Sequence, residues 1–73
     1  MKNKIIAFYI GQLGNIVYNF YENTLFNRVN MFSDNGILAI YDCETGQFIK
    51  LKNNKIIVAA CHDILKTAIA MGV

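Results

Sequence analysis

Five residues of this 73-residue chain carry groups that could do chemistry at close quarters: Cys43 and Glu44, then Cys61, His62 and Asp63. A thiol and an imidazole within hydrogen-bond reach make a nucleophile, and Cys and His together are zinc ligands. The spacing argues against both. Adjacent residues of an extended segment point to opposite faces, which separates Cys61 from His62. No C-x-x-C or H-x-x-x-H pair is present, and His62 is the lone histidine, which removes most acid–base mechanisms. A phosphate loop, a nucleophile elbow and paired carboxylates are also missing. The sequence therefore predicts a non-enzyme with no catalytic residues, metal site or cofactor. Two cysteines are too few for a disulfide framework and are expected as reduced thiols in the cytoplasm.

The elements that position these residues centre on a stretch from Gly36 to Ala60. Asp42-Cys43-Glu44-Thr45-Gly46 is a turn: the Asp side chain accepts from backbone amides just ahead of it, and the Gly takes the positive φ that closes the loop. Asn53-Asn54 reads as a second tight turn. β-Branched and aromatic residues flank both, so an antiparallel meander is predicted over 37–42, 47–52 and 55–60. Asp42 then lies opposite Gln47, and Tyr41 and Phe48 form a cross-strand pair. Alternation puts Leu38, Ile40, Ile49, Leu51, Ile56 and Val58 on an aliphatic face. The other face is mixed: Ile37, Ala39, Tyr41, Phe48, Lys50, Lys52, Ile57 and Ala59. On this pairing Cys43 and Cys61 share one end of the sheet, roughly 10 Å apart, too far for a bridge.

Around the meander, Lys4–Ile10 reads as a short buried strand. Polar residues at 12, 15, 19, 22, 23, 27 and 30 oppose Leu13, Ile16, Val17 and Phe20, a near-3.6 period that predicts a helix near 14–29. The rival reading makes Asn15–Phe20 a strand and GQLG a hairpin loop. Asp63 opens a C-terminal helix over 63–71, whose apolar side of Ile64, Leu65, Ala68 and Ile69 is expected to roof the aliphatic sheet face. The expectation is one α+β domain spanning 1–73.

Bulk composition bears on partners. Apolar residues make up 55% of the chain and charged ones 16%, too greasy a mixture for so small a chain to bury alone. Self-association as a homo-oligomer, most simply a dimer, is expected. So is docking on another macromolecule, a protein ahead of nucleic acid since the formal charge is only +2. The predicted partner-binding residues are Tyr41, Phe48, Lys50, Lys52 and Ile57, with Tyr9, Tyr18 and Tyr21 as further exposed aromatics. Aromatics beside Lys50, Lys52 and Lys55 would also suit single-stranded nucleic acid. The charge-free run Ile5–Tyr21 is broken by Gln12, Asn15 and Asn19, so no membrane span or cleaved leader is expected.

Two stretches are similar to known families. Ile10-Gly11-Gln12-Leu13-Gly14-Asn15-Ile16-Val17 fits the outline of a KH-domain GxxG loop, but only ten residues precede that loop. Over residues 10–52, Ile10-x-x-Leu13-Gly14-x-Ile16-Val17, then Leu38-Ala39-Ile40-Tyr41 and Gln47-Phe48-Ile49-Lys50-Leu51-Lys52, resemble AbrB/MazE-type swapped-hairpin regulators. That resemblance implies an interlocked dimer that binds DNA. Asn15 stands where the family has Arg, and Glu22-Asn23-Thr24 replaces its basic run, which removes phosphate-neutralising charge. The combined expectation is a small regulator or inhibitor of the kind carried by phages and mobile elements, with an AbrB-like nucleic-acid-binding dimer as the alternative.

Overall fold

Two glycine-closed turns fold the chain into two β-hairpins, and the hairpins join edge to edge. In the computed structural model, which describes residues 3–72, β1 (Lys4–Ile10) turns through Gly11–Asn15 into β2 (Ile16–Glu22). A short helix α1 (Leu25–Phe32) leads to β3 (Ile37–Asp42), which turns into β4 (Gln47–Leu51). The long helix α2 (Lys55–Gly72) ends the chain. The sheet is antiparallel throughout, in the order β2-β1-β3-β4. The α+β class holds, and the N-terminal strand falls where it was expected.

The 42–46 turn forms as its residues dictate. Asp42 Oδ1 accepts from the amides of Glu44 (2.8 Å) and Thr45 (3.4 Å), and Gly46 has φ +74°. Asp42 pairs with Gln47 and Tyr41 with Phe48, as predicted. The first turn is also glycine-closed, with Gly14 at φ +82° and the Gly11 amide donating to Asn15 O.

Two element assignments are corrected. Residues 16–22 form a strand, not part of a helix over 14–29; the rival hairpin reading holds here. β-Branched and aromatic residues dominate IVYNFYE, and pairing with β1 outweighs the polar periodicity. The helix instead begins after Thr24, whose Oγ1 accepts from the Asn27 amide (3.1 Å). Likewise, 55–60 is not a third meander strand but the first turns of α2. Asn54 is a helix N-cap, its Oδ1 accepting from the amides of Ile56 (3.0 Å) and Ile57 (3.2 Å). The C-terminal helix thus starts at Lys55 rather than Asp63.

Each sheet face carries its own cluster. Ile6, Phe8, Leu38 and Ala39 pack against Cys61, Leu65 and Ala68 of α2, with Ile16, Tyr18, Phe20, Tyr41 and Phe48 around them. Across the sheet, Ile5, Ala7, Ile37 and Ile40 pack with Met31 of α1 and with Ile49. Bulges explain why the predicted faces do not survive. The register slips between Phe8 and Tyr9 opposite β3, and between Ile40 and Tyr41 opposite β4. Each slip inserts one residue, which flips the remainder of the strand to the other face. The helix therefore roofs the face holding Ala39, Tyr41 and Phe48, not the predicted aliphatic face.

Candidate docking surface

The residues expected to form one partner-binding patch are divided by the sheet. Ile49 is the extra residue of the β4 bulge, so Phe48 stays beside Tyr41 while Lys50 follows Ile40 onto the α1 side. Tyr41 and Phe48 stack edge to face at 5.1 Å, and Phe48 meets the His62 ring at 4.9 Å. Ile57 packs on the same cluster from α2. Lys52 is exposed beyond the end of β4. The aromatic-and-lysine platform is thus not assembled: its rings lie half-buried under α2 and Lys50 lies across the sheet. Tyr18 is half-buried with the α2 cluster, Tyr9 is half-buried, and Tyr21 is exposed.

Cys61 is buried in the core and Cys43 packs beside the same cluster; both are free thiols. Burial pushes both thiols up from the usual range, and for Cys43 the Asp42 charge adds to the effect. Among the described residues no three His, Cys, Asp or Glu side chains converge on a metal-sized site.

The surface that sequence reasoning missed is α1. Its eight residues, LFNRVNMF, include five apolar side chains, yet only Met31 is buried, at 8% exposure. Leu25 is 79% exposed, Phe26 75%, Val29 58% and Phe32 46%. Leu25, Val29 and Phe32 fall at i, i+4 and i+7, one stripe of a helix, with Phe26 beside it. A shallow groove of about 460 Å³ runs along this stripe, lined by Leu25, Arg28, Val29, Phe32 and Ser33. A smaller cleft of about 320 Å³ lies among Tyr9, Ile10, Tyr21, Asp34, Gly36 and Ile37.

Polar groups hold α1 on the sheet. Arg28 Nη1 donates to Asn23 Oδ1 (2.8 Å) and to Asp42 Oδ2 (3.3 Å). Asp42 is only 4% exposed, and burial by itself would raise its pKa. The amides of Glu44 and Thr45 and the Arg28 guanidinium reverse that and hold it below the ordinary value of 3.8. At the other end, Lys50 Nζ reaches the carbonyls of Met31 (3.3 Å), Phe32 (3.4 Å) and Asp34 (3.1 Å). Met31 and Phe32 end α1 and Asp34 follows it, so Lys50 sits at the negative pole of the helix, where a cation is favoured. Ser33 adds its amide and hydroxyl to Val29 O, at 3.2 and 3.0 Å. Two cations, one on the helix and one reaching across from the sheet, thus replace the apolar burial that usually fixes a helix.

A signal for this surface was present in the sequence. Thr24 caps a run, LFNRVNMF, whose apolar residues recur at helical spacing. Comparison with protein-family models, with curated proteins and with solved structures finds no match to this chain.

Proposed function

We propose that the protein is a small non-enzymatic interaction module that acts as a homo-oligomer and docks on another protein through the outward face of α1. One observation carries this reading: four of the five apolar side chains of α1 face water while Arg28 and Lys50 hold the helix in that orientation. Burying one such side chain against a partner is worth roughly 1.5–3 kcal/mol. Aromatic and aliphatic anchors beside a groove, with polar Arg28 and Ser33 in its lining, have the anatomy of an interface centre. A regulator or inhibitor role fits a chain that presents such an exposed apolar helix face. No helix among the described residues is long and apolar enough to cross a membrane.

The nucleic-acid alternative has less support, since Lys50 is committed to the α1 carbonyls and Tyr41 and Phe48 pack against the core. Selection of a displayed peptide library against the immobilised chain tests the main reading. Peptides with apolar anchors are expected to be recovered and to lose binding to the Phe26→Ser/Val29→Ser variant. Binders indifferent to that variant, or salt-sensitive binding to mixed DNA and RNA that ignores it, would refute the reading.

A further inference from the structure

The two edges of the sheet are unlike. β4 is five residues long, bulged, and followed by the exposed Lys52, devices that discourage pairing with another strand. β2 has none of them. It runs seven residues in uninterrupted register with β1, without proline, and its single charged residue, Glu22, is neutralised by Lys4.

The hydrogen bonds at the two ends of the first hairpin show which groups face outward. The Gly11 amide donates to Asn15 O and the Asn23 amide to Asn3 O, both at 2.7 Å. Hydrogen-bonded and non-hydrogen-bonded pairs alternate along an antiparallel ladder. Val17, Asn19 and Tyr21 therefore bond inward to β1, while Ile16, Tyr18 and Phe20 turn their N–H and C=O groups away from the sheet. Glu22 does too, but its carbonyl is taken by the Thr24 amide and by Asn27 Nδ2, both at 2.9 Å. No backbone group of the described residues meets the edge from Ile16 to Phe20.

We infer that this edge pairs with the β2 edge of a second copy across a two-fold axis at Asn19. The order IVYNFYE is nearly self-complementary in that register. Tyr18 meets the partner's Phe20 in a hydrogen-bonded pair, twice, with four backbone hydrogen bonds and two aromatic cross-strand pairs. Val17 meets the partner's Tyr21, Glu22 meets the partner's Ile16, and no like charges oppose. Asn19 faces its own copy in the close, non-hydrogen-bonded geometry. Such pairing is isologous and closes at two copies. It makes one eight-stranded sheet with the β4 edges outermost. Because the axis is perpendicular to the sheet, both α1 helices lie on the same side. From the strand spacing they sit roughly 25 Å apart. The dimer is then bivalent, able to engage two copies of a docking motif on one partner assembly and gain avidity. Only this last step rests on the docking role of α1.

Light scattering of the full chain at micromolar concentration is expected to give twice the chain mass. Asn19→Lys sets two cations face to face on the axis and is expected to weaken the dimer at least tenfold with circular dichroism unchanged. Asn19→Cys is expected to cross-link to itself on mild oxidation. The wild type, with Cys43 and Cys61, and Leu13→Cys in the hairpin loop are expected not to. A monomeric wild type, a dimer that survives Asn19→Lys, or no Asn19→Cys cross-link overturns the proposal. Dissociation by Phe26→Ser/Val29→Ser in place of Asn19→Lys would join the copies through α1 and sink the docking reading with it. Loss of peptide binding alone, with the Asn19 results as expected, would sink only the docking reading.

Discussion

The two helices lie on opposite faces of one sheet and hold to it by opposite means. α2 commits its apolar side: Ile57, Cys61, Ile64, Leu65, Ala68 and Ile69 all belong to the cluster around Phe8, and Lys66 and Thr67 face water. α1 commits one apolar residue, Met31, and leaves four exposed. What α1 lacks in burial, Arg28 and Lys50 replace, the first by its ion pair with Asp42 and the second by its contacts with the C-terminal carbonyls. A helix that needed its apolar face for its own stability could not lend it to a partner. The difference separates a structural helix from one that presents a surface.

A short series of substitutions would break or sharpen that contrast. Leu65→Ala in α2 is expected to cost about 2–5 kcal/mol, as a buried large-to-small change does. Leu25→Ala in α1 is expected to cost about 0.5 kcal/mol or less, as an exposed change does. Urea unfolding of both variants measures the pair, and equal losses would erase the distinction.

Next in size is Asp42→Asn, which leaves Arg28 without its anion and is expected to cost about 1–3 kcal/mol at neutral pH. Its sign with pH comes from the lowered pKa. The unfolded state binds the proton more readily, so the stabilisation is full above the ordinary value of 3.8 and is lost as pH falls through the lower folded value. The wild type should lose stability over that acid range, and Asp42→Asn should lack that component in unfolding curves taken from pH 6 downward.

Lys50→Met should loosen the C-terminal end of α1 by about 1 kcal/mol, seen as faster amide exchange confined to α1. Thr24→Ala removes the N-cap of the same helix and should cost a similar or smaller amount, about 0.5–1 kcal/mol, by the same readout. If either change instead accelerates exchange throughout α2, the two helices are not independently held.

Much of the scaffold was legible in the residues. The 42–46 turn, the Tyr41–Phe48 pair and the N-terminal strand arise from turn chemistry and β-propensity, both local. The illegible parts depended on competition between local signals. Ile56-Ile57-Val58 suits a strand by propensity, but Ile57, Cys61, Ile64, Leu65 and Ala68 continue one helical stripe, and Asn54 fits a cap as well as a turn. Tertiary packing against Phe8 and Ala39 decides it. The candidate surface was hidden for a related reason. A single inserted residue at Ile49 parts Lys50 from Phe48, and no strict two-residue alternation can foresee a bulge. With the lysine reassigned to the α1 side, the clamp on α1 becomes visible, and so does the face it leaves free.

In the chain by itself the outward side of α1 is wet while the helix stays docked on the sheet. The protein has no tryptophan, so Phe26→Trp introduces a single reporter on that side. Fluorescence of this variant at concentrations low enough to keep it monomeric is expected to show the red-shifted emission of hydrated indole, free access to acrylamide and native circular dichroism. Blue-shifted emission shielded from acrylamide under the same conditions would contradict the claim, because the side chain would then be part of a core.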